Sequence, residues 1–354
     1  MTHLKVLVIN TVPFMRDGIG SVIMNHYRAL KDRVDFDFLV NTEIVADLKD
    51  EILLGGSNIF FVKARKKRPL HYLFSLKKIL RGNKYDLIHI HGNSALMSLE
   101  LLAIKNKKKV IVHGHNVKTE YPFLNALFRP YFQRSFAIGL VPTEEAGKFL
   151  FQNKNYRILS NGIDLEQYAY HPEIRHNTRK SLGITDEKVI ICVGNLNRQK
   201  YQDLLLSILP ELLKNGKYVL LLVGKGEREE TLRKLAIEKK ITNSLIFLDS
   251  VPNVQDYYSA ADIFALPTNF ESFGMVAIEA QANGLPCLVS DCVPQIVKKS
   301  EDFHFVSNDD LNTWINLILH AERTDNPRDL SVFDIRKISA DLFDIYQEIS
   351  SSTG

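Results

Sequence analysis

Short apolar runs alternate with amphipathic stretches along nearly all of this 354-residue chain, and that rhythm leaves few folds open. In the first half, residues 5–10, 35–40, 58–62, 87–91, 110–113 and 137–141 are strand-like, while 21–30 and 70–80 read as helices. In the second half, 189–193, 218–223, 245–248, 263–266 and 287–290 are strand-like, while 202–213 and 229–239 read as helices. Strands that alternate with helices build parallel sheets with helices packed on their faces. At roughly 150 residues per domain the length holds two such sheets. Asn161-Gly162 is a turn signal between the two series. The expected fold is therefore α/β, two doubly wound, Rossmann-like domains at 1–165 and 166–334.

One segment is densest in chemistry: Pro267-Thr-Asn-Phe-Glu271-Ser-Phe273-Gly274-Met275-Val-Ala-Ile-Glu279. Glu271 follows an apolar strand, at the carboxyl end where open α/β sheets bind ligands. Glu279 lies eight positions on, the length of about two helical turns, in the helix-like run that begins after Phe273-Gly274. The start of that helix presents free backbone N–H groups, a ready anion site. Carboxylates accept hydrogen bonds from sugar hydroxyls. One short segment thus offers a grip on both halves of a nucleotide-sugar.

Further candidates sit at other strand ends. Arg16-Asp17-Gly18-Ile19-Gly20 follows the first strand, and its glycines allow backbone to approach a phosphate or sugar. It is not Gly-x-Gly-x-x-Gly, which disfavours a dinucleotide dehydrogenase. Gly194-Asn195-Leu-Asn-Arg198-Gln-Lys200 follows the first strand of the second half, and Gly224-Lys-Gly226 and Asp249-Ser-Val251 follow later ones. His89 and His91 on one strand, and His113 and His115 at the end of another, are placed to face a cleft between domains. Four histidines are a conceivable metal set, but no carboxylate of suitable spacing joins them, and no metal or other cofactor is expected.

Together these motifs resemble the retaining family-4 glycosyltransferases of GT-B fold, and most closely their capsular and exopolysaccharide branch. The resemblance runs over nearly the whole chain and centres on the Glu-x7-Glu spacing of Glu271 and Glu279, with the flanking Phe-Gly and Gly-Leu-Pro. It implies a metal-independent transfer from a nucleotide-sugar, UDP-linked by expectation, to a lipid-linked polysaccharide precursor or other glycan. It implies that Glu279 binds ribose hydroxyls and Glu271 those of the donor sugar, with Gly18, Gly20, Gly194 and Gly224 near the donor. Lys200 and the N–H groups of Phe273, Gly274 and Met275 would hold the diphosphate, Val251 would border the base, and His115 would contact the donor sugar near its reacting carbon. Asn161-Gly-Ile-Asp164 would open the interdomain linker, and a last helix within 335–354 would cross back to the first domain, the acceptor side. Three positions depart from the pattern. Asp17 replaces a glycine, Gly20 stands where close relatives often have Glu, and Asn195 replaces the arginine that neutralises the diphosphate. Arg198, three residues on, is the nearest substitute cation.

The net charge of +4 is unevenly placed. Residues 1–165 carry 25 Lys and Arg against 14 Asp and Glu, and residues 166–354 carry 20 against 27. The clusters Arg65-Lys66-Lys67-Arg68 and Lys107-Lys108-Lys109 suit an anionic membrane surface. No nucleic-acid motif accompanies them, so nucleic acid is not an expected partner. No apolar run reaches the ~18–20 residues of a membrane span, and a cytoplasmic, peripheral location is expected. Cys192, Cys287 and Cys292 lie in apolar segments and read as core thiols. Two rivals remain: a nucleotide-sugar-binding partner subunit impaired in catalysis, motivated by Asn195 and Asp17, and a GT-B-fold sugar-nucleotide epimerase.

Overall fold

The computed structural model describes residues 3–16, 18–63, 65, 67–119, 121–152, 155–324 and 328–351. Asp17 and Lys66 lie outside the described residues. The chain forms two compact units, Met1–Gly162 with Ile335–Gly354, and Ile163–Asp334.

Unit 1 runs β1 (Leu4–Asn10), α1 (Gly18–Leu30), β2 (Val34–Val40), α2 (Ala46–Leu54), β3 (Asn58–Phe61), α3 (Pro69–Gly82), β4 (Leu87–Gly92), α4 (Ser98–Ala103), β5 (Val110–Gly114), α5 (Pro122–Phe132), β6 (Ile138–Val141), α6 (Glu144–Phe151) and β7 (Tyr156–Ile158). Unit 2 runs α7 (Pro172–Ser181), β8 (Lys188–Val193), α8 (Asp203–Asn215), β9 (Tyr218–Val223), α9 (Glu229–Glu238), β10 (Leu245–Leu248), α10 (Val254–Ala260), β11 (Ile263–Leu266), α11 (Met275–Ala282), β12 (Cys287–Ser290), β13 (Phe303–Val306) and α12 (Leu311–His320). A last helix, α13 (Ile335–Ser351), belongs to unit 1.

Both sheets are parallel throughout. Their orders are β3-β2-β1-β4-β5-β6-β7 and β10-β9-β8-β11-β12-β13. In each, the order reverses beside the unit's first strand, between β1 and β4 and between β8 and β11. Such a switch point opens a crevice beyond the strand carboxyl ends. Because helices cover both faces, the central strands read as unbroken apolar runs, as in Val219–Val223, which are buried. In α13, Ile335, Ile338, Leu342, Tyr346 and Ile349 recur every three or four residues. That stripe closes one face of the unit 1 sheet with Ile23, Tyr27 and Phe36.

The short strands β7 and β13 and the short helix α10 are elements that the apolar periodicity alone does not single out. Cys192 and Cys287 are buried, but Cys292 is exposed. It follows the end of β12, where the apolar run has already turned to Asp291. Among the described residues no helix is long and apolar enough to cross a membrane.

Candidate functional site

In unit 2 four loops leave neighbouring strands at the same edge of the sheet: Gly194–Tyr201 after β8, Gly224–Arg228 after β9, Asp249–Asn253 after β10 and Pro267–Gly274 after β11. Backbone bonds continue the ladder past the strands. Gly194 N–H donates to Val223 O at 3.0 Å, Leu196 N–H to Lys225 O at 2.8 Å, and Gly224 N–H to Leu248 O at 2.9 Å. Gly224 has φ +145°, and a Cβ there would come within 2.2 Å of Gly194 O, so only glycine lets these loops close. Across the switch point, Asn269 N–H donates to Gln199 O at 2.7 Å, Thr268 Oγ1 to the same oxygen at 3.1 Å, and Gln199 Nε2 to Phe270 O at 2.8 Å. The loops after β8 and β11 are thereby laced together.

That lacing sets Lys200 against Glu271. Lys200 Nζ donates to Glu271 Oε2 at 2.5 Å, with both side chains about seven-eighths buried. Asn197 Oδ1 accepts from Lys200 N–H at 2.9 Å and fixes the turn that aims the side chain. The pair is charge-assisted and largely desolvated, yet Lys200 keeps two further N–H bonds to give. Beyond Glu271, Gly274 takes φ +96° and starts α11. No described residue accepts from the N–H groups of Phe273, Gly274 and Met275. They are the unsatisfied donors of a helix N-terminus.

Glu279 lies on α11, which is buried on nearly all sides. Tyr258 Oη on α10 donates to Glu279 Oε2 at 2.9 Å. Burial pushes the Glu279 carboxyl up to about 7, although hydrogen bonds from Tyr258 and Tyr168 favour the charged form. Tyr258 is itself pushed well above the ordinary tyrosine range by burial and by Glu279. Nothing in the sequence marked Tyr258 or Thr268: the first is an aromatic on a short helix, and the second acts through one hydroxyl.

Arg198 and Asn195 are both exposed. The Arg198 guanidinium has no ion pair among the described residues. Val251 is half-buried in the loop after β10. All the unit 2 candidates, including Gly194 and Gly224, therefore border one sheet edge.

In unit 1, Gly18 and Gly20 open α1. A Cβ on Gly18 would meet open space, whereas one on Gly20 would strike Met15 O at 1.8 Å. A glutamate at Gly20 could not be accommodated without moving that turn. The histidines stand side by side on β4 and β5, with His91 opposite His113 in register. His91 Nδ1 lies 2.9 Å from His115 Nε2, and His89 Nδ1 lies 2.7 Å from Tyr346 Oη on α13. Desolvation lowers every one of these imidazoles, His115 to about 3, so they are neutral at ordinary pH.

Two basic candidates are not free for a membrane. Arg65 is ion-paired to the fully buried Glu100 at 2.6 Å and also donates to Leu96 O at 2.8 Å. Lys107 Nζ caps the carbonyls of Leu101 and Ile104. Lys67, Arg68 and Lys108 remain exposed, and Lys109 is half-buried.

Two sheets of this order with switch-point loops of this kind make a GT-B α/β fold, and the comparisons agree. Residues 16–167 match the model described as Glycosyltransferase Family 4, and residues 174–331 that of Glycosyl transferases group 1. A glycosyltransferase of Haemophilus influenzae, itself uncharacterised, is 31% identical over 274 residues, 71% of this chain and 74% of that one. The UDP-Gal:alpha-D-GlcNAc-diphosphoundecaprenol alpha-1,3-galactosyltransferase of Escherichia coli is 25% identical over 348 residues, 90% of this chain and 89% of that one. The crystal structure of Anabaena Alr3699/HepE in complex with UDP and glucose superimposes with a TM-score of 0.80 at 16% identity, covering 98% of this chain and all of that one. At that identity the likeness is one of fold. The chain belongs to the glycosyltransferases built from family-4 and group-1 domains.

Proposed function

We propose that the chain transfers a sugar, with retention at the anomeric carbon, from a UDP-linked donor to a lipid-linked polysaccharide precursor or other glycan. The observation that carries this reading is the Lys200–Glu271 pair at the mouth of α11, with Glu279 about one turn into that helix. A diphosphate at the free N–H groups of Phe273 to Met275 meets helix-end charge and Lys200 together. Glu271, once Lys200 turns to phosphate, accepts hydroxyls of the donor sugar. Glu279 accepts ribose hydroxyls. His115 lies by the donor sugar in this reading, and the glycines Gly18 and Gly20 by the donor phosphates. Positive charge and N–H donors would stabilise the leaving diphosphate without a metal ion. The leaving phosphate takes the acceptor proton, so no general-base dyad is required. The donor and acceptor classes are supported by the activity for which the Escherichia coli relative is named and by the UDP bound to Alr3699/HepE.

The decisive experiment incubates the purified chain with a panel of UDP-sugars and an undecaprenyl-diphosphate-linked sugar, and reads product and anomeric configuration by NMR. Retention with a UDP-sugar, undiminished by chelator and unimproved by added Mg²⁺ or Mn²⁺, is expected. An inverted product, or strict dependence on added metal, overturns the mechanism. Asn195 favours one second reading, a partner subunit that binds nucleotide-sugar without turnover. Nucleotide binding with no transfer or donor hydrolysis would select it.

A further inference from the structure

Unit 1 contains a group of side chains that the transfer reaction does not use. His89 and His91 alternate along β4 and so share one face, and His113 joins them from β5 at the position opposite His91. All three are at most 2% exposed. One ring nitrogen from each lies within 4.8 Å of the others. The cluster sits under α13, which supplies Tyr346, and beside α1, which supplies His26.

Buried polar atoms without partners are rare and call for an occupant. Here they are concentrated. Both nitrogens of His113 and Nε2 of His89 have no partner among the described residues, and His89 and His91 line a small cavity with Val8, Phe38 and Leu342. The far nitrogens of the other rings are fixed as a metal ligand's would be. His89 Nδ1 is engaged by the Tyr346 hydroxyl at 2.7 Å and His91 Nδ1 by His115 Nε2 at 2.9 Å. With the Nδ1–H of His89 and His91 donating in these contacts, Nε2 of each of these rings keeps its lone pair for a metal.

We propose that His89, His91 and His113 bind a divalent transition metal of zinc type in the core of unit 1, as a stabilising site separate from the transfer chemistry. Three imidazoles with an open fourth position are an established zinc ligand set and need no carboxylate. Zinc–nitrogen bonds of about 2.0–2.1 Å place tetrahedral nitrogens about 3.3 Å apart. The rings, stacked face to face without the ion (His89 on His113 at 5.4 Å between centroids), therefore tilt inward on binding. Imidazole ligands suit zinc, copper, nickel and iron over magnesium or calcium.

The test uses the full chain without a histidine tag. Metal-free protein is titrated with Co²⁺ and its visible absorption recorded, and protein grown with zinc is analysed by mass spectrometry. About one equivalent per chain, with the intense bands of tetrahedral cobalt, is expected. His113→Leu should lose that uptake while still binding UDP, and Tyr346→Phe should weaken cobalt binding about 10–100-fold. If His113→Leu does not fold, Tyr346→Phe and the wild-type titration decide. Folded wild-type protein that takes up no metal overturns the proposal and leaves an ordered water as the occupant. Uptake unchanged in the His113→Leu variant overturns it too, by placing the metal elsewhere.

Discussion

Glu279 carries two opposed demands. Its folded-state pKa stands at about 7, above the ordinary 4.5, so its contribution to stability is full below about 4.5 and is lost as pH rises through about 7. A neutral isostere removes that loss. Glu279→Gln should raise the stability of the ligand-free chain at pH 8, by on the order of 3 kcal/mol, and change it little at pH 4.5. Glu279→Ala should weaken UDP binding by about 1.5–3 kcal/mol. Urea unfolding at the two pH values and calorimetry check both. Equal stability gains at both pH values would refute the titration argument. Arg198 poses the complementary question of charge. Lys200 is committed to Glu271 in the ligand-free chain, and Asn195 brings no cation, while the Arg198 guanidinium is exposed in the same loop. Arg198→Ala should lower turnover about a hundred- to a thousand-fold, Asn195→Ala much less, and Asn195→Arg should partly restore the Arg198→Ala enzyme. Wild-type turnover in Arg198→Ala would end the substitution idea.

At the scale of elements, the sequence displayed what periodicity and turn chemistry encode. The strands β9, β10, β11 and β12 and the α11 start at Gly274 were legible because parallel strands are apolar throughout and glycine marks the left-handed turn. The lacing of Thr268 and Asn269 to Gln199 was not, since hydrogen bonds between residues some seventy positions apart leave no local pattern. Nor was the withdrawal of Arg65 and Lys107 into internal contacts, because a basic run looks the same whether its members face solvent or a buried Glu100. The lacing has a measurable consequence. Thr268→Val removes the buried Thr268 hydroxyl and its bonds to Gln199 O and Phe270 O, and should cost about 0.5–1.5 kcal/mol. It should also loosen UDP binding, because the lacing holds Lys200 toward Glu271. Unchanged calorimetric affinity would show that the lacing is merely structural. The remaining exposed cations, Lys67, Arg68 and Lys108, lie by α3 and α4, which pack together, and α4 packs in turn onto α5. These helices expose Phe74 at 71% and Phe123 at 79%. Apolar and basic groups on one layer fit an anionic bilayer surface. Replacing Lys67, Arg68 and Lys108 by Ser should reduce sedimentation with phosphatidylserine vesicles and its salt sensitivity. Equal binding to neutral vesicles would reject the charge argument.

For the whole molecule, the chain crosses between its two units twice, at Gly162–Ile163 and Asp334–Ile335. Unit 2 is therefore one continuous segment, whereas unit 1 depends on a helix that the chain delivers last. That dependence is large. Ile338, Leu342, Phe343, Ile345, Tyr346 and Ile349 of α13 are all buried in the core that covers β1, β2 and β4. Burying one such side chain stabilises by about 1.5–3 kcal/mol, so the set rivals the entire ~5–15 kcal/mol by which a domain is stable. Removing α13 also strips the Tyr346 hydroxyl from His89 and Ser339 from His26. A chain ending at Asp334 should consequently lose the cooperative fold of unit 1 while unit 2 still folds. Hydrogen exchange followed by mass spectrometry separates the two. The amides of β1 to β6 should exchange within the dead time, whereas those of β8, β9 and β11 stay protected and gain protection with UDP. Strongly protected amides in β1 and β4 of the shortened chain would show that the sheet and α1 suffice without α13. Loss of protection in both units at once would mean that unit 2 cannot stand alone, despite its continuous sequence.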